Sequence, residues 1–198
     1  MTMTSERVFA STSHEQIQVR PYKAQDQAAV RDLFIRVNRE LAPAHLKEPF
    51  EAYIALSLRE EIDRIPTYYA ASRGASFWVA ADKNGLVGNF GLEPVDAGLE
   101  LRRMYVDPRA RRQGLGRLML AHAEFVAREQ GHARIVLSTS ELQSAAIRLY
   151  RVAGYHLIRE EVATTATNRT VGSGLRRYHF EKPIVGGPAS LPDARSPN

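Results

Sequence analysis

The sequence predicts a mixed α/β (α+β) domain: a mostly antiparallel central sheet of about seven strands flanked by four helices. Three observations carry this. Strand-length apolar runs and helix-length periodic runs follow one another in the order β-α-α-β-β-β-α-β-α-β-β. Asn84-Gly85 joins two of the strands as a hairpin turn, which makes that part of the sheet antiparallel. Two later helices each stand between strands, as crossover connections do, so the sheet is mixed.

The elements follow in order. Residues 16–22 alternate, with Ile17 and Val19 against Gln18 and Arg20, and read as the first strand. Residues 26–41 form a helix with Val30, Leu33, Phe34 and Val37 on one face, broken by Ala42-Pro43-Ala44. A second helix spans 48–65, with Phe50, Tyr53, Ile54, Leu56 and Leu58 among its apolar positions, and Pro66 ends it. Strands follow at 77–81, 86–92 and 99–106. A glycine-rich turn then opens a helix to residue 129, where Leu115, Leu118, Met119, His122, Phe125 and Val126 share a face and Gly131 supplies the C-terminal cap. Residues 133–137 are a short aliphatic strand. Ser140 is the expected cap of a helix running to about 153, and strands at 154–161 and 175–183 close the domain. The small, polar stretch 163–174 between them reads as a mobile loop. The domain is expected over 16–185, with a disordered N-terminal segment at 1–15 and a disordered, Pro-rich tail at 186–198.

Composition narrows the function classes. The 198 residues are enough for one sizeable core, and 44% hydrophobic with 25% charged residues is ordinary for a globular protein. There is no cysteine, which excludes disulfides, thiolate catalysis and cysteine metal sites. The polar start of the chain has no apolar core like that of a signal peptide, and no apolar run is long enough to span a bilayer, so no membrane partner and a cytoplasmic location are expected. The formal net charge is +5. Its positive charge is densest around the glycine turn, without the interleaved aromatics of a nucleic-acid surface, so a local polyanion is expected rather than nucleic acid.

That turn is the segment Arg111-Arg112-Gln113-Gly114-Leu115-Gly116-Arg117. A glycine turn entering a helix leaves backbone N–H groups free at the positive end of the helix dipole, an anion site that arginines favour further. A tight turn with a basic helix cap is the plainer alternative. Neither common nucleotide motif fits: no Lys-Ser/Thr pair follows the second glycine, and the third dinucleotide-fingerprint position is Met119. The pattern Arg-x-x-Gly-x-Gly instead resembles the acyl-CoA pyrophosphate loop of the GNAT superfamily of N-acetyltransferases, with Arg111, Gly114 and Gly116 at its fixed positions. Upstream, Glu100-Leu101-Arg102-Arg103-Met104-Tyr105-Val106-Asp107-Pro108 is similar to the strand that precedes this loop. Downstream, Gln143-Ser144-Ala145-Ala146-Ile147-Arg148-Leu149-Tyr150 and Gly154-Tyr155 resemble the family's Asn-x-x-Ala-x-x-Leu-Tyr…Gly-Phe/Tyr segment. The resemblance covers roughly residues 16–183.

The resemblance implies acetyl-CoA as co-substrate, with no metal. It assigns cofactor contacts to Met104, Tyr105 and Val106, to Arg111, Arg112, Gln113, Gly114, Leu115, Gly116 and Arg117, and to Gln143, which stands where the family often has asparagine. It implies that Tyr150 faces the CoA sulfur as proton donor to the leaving thiolate; from periodicity alone Tyr150 reads as an aromatic at the rim of the core. Glu100 matches the general base of some members, against the alternative of a strand carboxylate paired with Arg102. His179 and Glu160 are weaker base candidates. Residues 137–143 are similar to the branch that includes cysteine-conjugate N-acetyltransferases. The expected activity is acetyl transfer to a primary amine of a small-molecule or amino-acid-like acceptor by direct attack in a ternary complex. A protein lysine or N-terminal acetyltransferase and a non-catalytic acyl-CoA-binding module stay open, as does a homodimer through the C-terminal strands.

Overall fold

The computed structural model describes residues 17–96 and 98–184. The expected disordered ends at 1–15 and 186–198 therefore lie outside the described residues. Seven strands form one sheet in the order β1-β2-β3-β4-β5-β7-β6. They are β1 (Gln18–Pro21), β2 (Ser76–Asp82), β3 (Gly85–Val95), β4 (Gly98–Val106), β5 (Arg134–Ser140), β6 (His156–Ala163) and β7 (Leu175–Pro183). Every neighbouring pair is antiparallel except β4–β5, which is parallel. The helices are α1 (Gln27–Leu41), α2 (Lys47–Glu60), the single turn α3 (Ile65–Tyr68), α4 (Leu115–Glu129) and α5 (Ser144–Val152).

Side chains alternate across the sheet and feed two cores. In β2, Phe77 and Val79 join Val30, Phe34, Tyr53 and Ile54 of α1 and α2, whereas Ala80 joins Leu115, Met119 and Ala123 of α4. The period-two pattern thus places α1 and α2 on one face and α4 and α5 on the other.

Three local expectations are corrected. The helix expected over 48–65 breaks at Glu61, whose backbone leaves the helical region (φ −137°, ψ −61°). A 3₁₀ turn at Ile62–Arg64 follows, and Pro66 lies in the first turn of α3, where its missing N–H costs nothing. Pro66 thus starts a helix rather than ending one. Ser140 is the last residue of β5, and α5 begins four residues later behind Gln143. The expected mobile loop at 163–174 is fastened to the body: Arg103 donates to the Asn168 carbonyl, and Arg169 reaches both Glu100 and Glu93.

Candidate active site

The site begins with an irregularity in β4. Gly91 of β3 is opposite Arg102 and Asn89 is opposite Tyr105, so Arg103 and Met104 together face the single residue Phe90. The extra residue is a β-bulge, and Arg103 takes φ +51° to make it. Such a backbone conformation is costly for a residue with a side chain. Asn89 helps to hold it, its Nδ2 donating to the Arg103 carbonyl at 2.7 Å.

On its other edge β4 pairs with β5 only from Gly98↔Arg134 to Leu101↔Leu137. Beyond Leu101 the strands part, and residues 102–106 turn an unpaired edge toward the gap. Met104, Tyr105 and Val106, expected at the cofactor, all belong to this edge. Tyr105 is buried, and burial raises its phenol pKa.

A pocket opens at this gap. Asn38 of α1, Tyr53 of α2, residues 100–105 of β4, residues 138–140 of β5, Gln143, Tyr150, Arg169 and Arg177 line it. Of the expected site residues it brings together Glu100, Met104, Tyr105, Gln143 and Tyr150. Glu100 pairs not with Arg102 but with Arg169, at 2.5 Å. Arg177 lies beside it, donating to the Ser138 hydroxyl and standing 3.4 Å from Glu161, and burial lowers its pKa. His179 and Glu160 are outside the lining; they contact Glu161 (2.9 Å) and Arg176 (2.9 Å) respectively.

Tyr150 is buried in the wall of the pocket. Its ring packs against Tyr155 and Phe180, each with centroids 6.0 Å away. Burial pushes its pKa up to about 12, so the phenol keeps its proton at neutral pH. Gln143 is at the N-cap position of α5, where its Oε1 accepts from the Thr139 hydroxyl (2.9 Å) and the Ser140 N–H (3.2 Å). These bonds tie α5, and with it Tyr150, to the end of β5.

Behind the bulge is a cluster that the sequence reading missed. Glu61 is completely buried and accepts from Arg102 Nη2 (2.8 Å), Arg103 Nε (2.9 Å), Arg103 Nη2 (2.6 Å) and the Tyr69 hydroxyl (2.5 Å). Burial alone would raise its pKa, but the charges of Arg103 and Arg102 hold it below the ordinary glutamate range. A signal was present: Glu61 falls on the same helical stripe as Ile54, Leu58 and Ile65, where a carboxylate is costly without a partner. Nothing local pointed to Arg169, which reaches the pocket from a loop.

The glycine turn lies outside the pocket lining but next to Met104 of β4, whose Cε is 3.7 Å from where a Cβ on Gly116 would be. Gly114 precedes α4 with φ +82°, and a Cβ there would meet nothing within 4 Å. The first helical bond runs from the Leu118 N–H to the Gly114 carbonyl, so the Leu115, Gly116 and Arg117 N–H groups point out of the helix start. A Cβ on Gly116 would lie 2.8 Å from Leu149 Cδ2, so this glycine lets α4 approach α5 closely. Arg112 takes φ +62°, and Arg112, Gln113 and Arg117 are exposed while Leu115 is buried. Arg111 is engaged by Glu40 of α1 through two bonds of 2.6 and 2.8 Å. The open space at Gly114 and the unpaired amides fit a phosphate group, and the edge of β4 fits an extended chain entering the gap. Among the described residues no group of three or more His, Asp or Glu side chains has metal-binding geometry, and no helix is long and apolar enough to cross a membrane.

A mixed sheet that splits at its parallel seam, with a glycine-led helix start beside the split, defines an acetyltransferase-type α/β fold. The chain belongs to the GNAT family: the family model described as "Acetyltransferase (GNAT) family" matches residues 37–155. It is similar to human N-acetyltransferase 8, 32% identical over 115 residues that cover 55% of this chain and 51% of that protein. It is 37% identical, over 115 residues and 55% of its length, to rat N-acetyltransferase family 8 member 3, of which 50% is covered. The chain thus spans about half the length of these relatives. Among solved structures, a GNAT-family acetyltransferase from Staphylococcus aureus Mu50 aligns with TM-score 0.66 at 17% identity, covering 85% of this chain and 99% of that one. A phosphinothricin acetyltransferase from Sinorhizobium meliloti, solved in complex with AcCoA, aligns with TM-score 0.65 at 20% identity, covering 90% and 94%. At these identities the likeness concerns the fold.

Proposed function

We propose that the protein is an acetyl-CoA-dependent N-acetyltransferase that acetylates a primary amine of a small-molecule or amino-acid-like acceptor by direct attack in a ternary complex. The observation that carries this reading is the gap between β4 and β5, with amides at its mouth and Glu100 and Tyr150 on the walls of the pocket behind it. The helix start at Gly114 with its flanking residues 111–117 takes the CoA pyrophosphate. Gln143 and the edge of β4 take the pantetheine arm, and backbone N–H groups of the Met104–Val106 edge polarise the thioester carbonyl. Holding both substrates together removes the need for a covalent intermediate, in keeping with a chain that has no cysteine.

In this scheme the amine nitrogen bonds to the carbonyl carbon while Glu100 accepts the amine proton. The tetrahedral intermediate then collapses with cleavage of the C–S bond, and the Tyr150 hydroxyl gives the departing thiolate its proton. Glu100 gives the amine proton up to solvent, solvent returns one to Tyr150, and the products are an N-acetylated acceptor and free CoA. The relatives named N-acetyltransferases support transfer to nitrogen. The cysteine-free composition supports a cytoplasmic location. The exposed edge strand β6 is the surface on which a homodimer of the C-terminal strands would form.

Thermal melting with acetyl-CoA tests the reading. At a ligand concentration of about 100 Kd, binding to the native state adds about 2.7 kcal/mol. For a chain of this size that raises Tm by roughly 5–10 °C. Gly114→Asp, which puts a carboxylate where phosphate oxygens belong, abolishes the shift. A wild-type melt unchanged by saturating acetyl-CoA refutes the assignment. Release of free CoA is then followed with amino acids, S-substituted cysteines, a lysine peptide and a peptide with a free N-terminal alanine. Turnover confined to the peptides would select the protein acetyltransferase. Cofactor binding without turnover of any amine would leave the binding module.

A further inference from the structure

From the cluster behind β4 we infer that Glu61 is a positioning residue: its buried carboxylate locks the β4 bulge and so sets the direction in which the Met104 to Val106 amides face. The inference rests on the reading that those amides polarise the thioester carbonyl.

The argument starts from strand geometry. Successive side chains of a regular strand point to opposite faces, so adjacent arginines do not reach one carboxylate. Here Arg102 and Arg103 both donate to Glu61, Arg102 through Nη2 at 2.8 Å and Arg103 through Nε and Nη2 at 2.9 and 2.6 Å. The bulge is what brings them to the same side: Arg103 takes φ +51°, and two residues of β4 face one of β3. The three-way contact and the bulge are therefore one geometric unit.

Glu61 is itself fixed from the far side by the Tyr69 hydroxyl at 2.5 Å, and Tyr69 is wedged against Phe77 and Gly91. A Cβ at Gly91 would come within 2.4 Å of the Tyr69 ring, so this β3 position has to be glycine for the clamp to close. The carboxylate is fully buried, whereas a charge this deep serves no solubility role. It also cancels part of the repulsion between two neighbouring guanidiniums. Without it Arg102 keeps Glu93 and Tyr68 and Arg103 keeps Tyr53 and the Asn168 carbonyl, but no single group holds the two guanidiniums together on one side of β4. The bulge then loses the contact that spans it and rests on Asn89 alone, and the amides that follow it lose their fixed direction.

Infrared difference spectra of [1-¹³C]acetyl-CoA test this without any acceptor. In the wild type the bound thioester carbonyl band falls below its position in buffer. In Glu61→Gln the band returns toward the buffer position, while acetyl-CoA still raises the melting temperature because the glycine turn is untouched. Should Glu61→Gln not fold, the charge-balanced pair Glu61→Gln with Arg102→Met removes one buried anion and one buried cation together, and the same return of the band is expected. A wild-type band that does not fall refutes the amide reading itself. A band that falls in the wild type and equally in the folded Glu61 variant refutes the role of Glu61 and leaves the amide reading standing.

Discussion

Replacing Tyr150 by phenylalanine removes one oxygen from the pocket wall and separates chemistry from packing. The ring is buried against Tyr155 and Phe180, contacts that phenylalanine keeps. The stability change is therefore limited to the hydroxyl and should be small. The effect on turnover follows from the acidity of the phenol. With a pKa of about 12 it is fully protonated at neutral pH and available as a donor, but it is a weaker acid than a free tyrosine. General acids contribute about 10²- to 10⁴-fold, and a weak acid belongs at the low end. A loss of roughly 10²-fold in kcat, or about 2.7 kcal/mol in the barrier, is expected. The KM for acetyl-CoA should hold within about twofold, since the glycine turn and β4 edge are unchanged. The assay is CoA release with the best acceptor of the panel, at saturating and limiting acetyl-CoA, beside a melting curve. Wild-type kcat would show that water or another group protonates the sulfur. A fall in kcat matched by a large fall in stability would make Tyr150 a packing residue.

Two further outcomes are expected. Glu100→Gln lowers kcat most near neutral pH and recovers part of it in alkali, where the acceptor amine is already free; a rate unchanged at every pH would refute a base role and leave Glu100 as the anchor of Arg169. Acidification tests the Arg20–Asp26 pair: the two bonds from Arg20 at 2.7 and 2.8 Å, opposed by burial and aided by the Lys23 N–H, hold the Asp26 pKa below its ordinary value. The pair's contribution to stability is therefore complete above about pH 4 and is lost as pH falls through the lowered pKa. Asp26→Asn should flatten this part of the acid limb in melting curves, and an acid limb identical to wild type would refute the linkage.

How much of this was legible in the chain depends on how local each signal is. The glycine turn, the helix behind it and the 175–183 strand carry their information in adjacent residues, and the structure has them where the sequence predicts. The break at Glu61 does not work that way. Pro66 is compatible with the end of one helix or the start of another, and the choice is made by Arg102 and Arg103, about forty positions downstream. From sequence Arg103 is one residue of the 99–106 strand before the glycine turn, yet it turns to the same side as Arg102 because β4 has a residue more than β3 at that point. The polar composition of 163–174 suggests mobility, and only long-range partners on β4 show why the segment is held. Pocket chemistry on a recognisable motif is visible in one dimension; pocket chemistry assembled from distant charges is not.

The short pairing between β4 and β5 has a mechanical consequence. Among the described residues the backbone pairing between the two halves of the sheet is four residue pairs long, from Gly98↔Arg134 to Leu101↔Leu137. The β1–β4 wing and the β5–β7–β6 wing therefore meet at this short pairing as at a hinge, with the 163–174 loop tying them across the split through Arg103–Asn168 and Arg169–Glu100. An extended amide-bearing molecule lying in the split bonds to both wings and acts as a brace across that hinge. Amide hydrogen exchange at residues 102–106 and 138–140 should then slow together when acetyl-CoA is added, far more than in the antiparallel strands β2 and β3, which are paired on both sides with or without it.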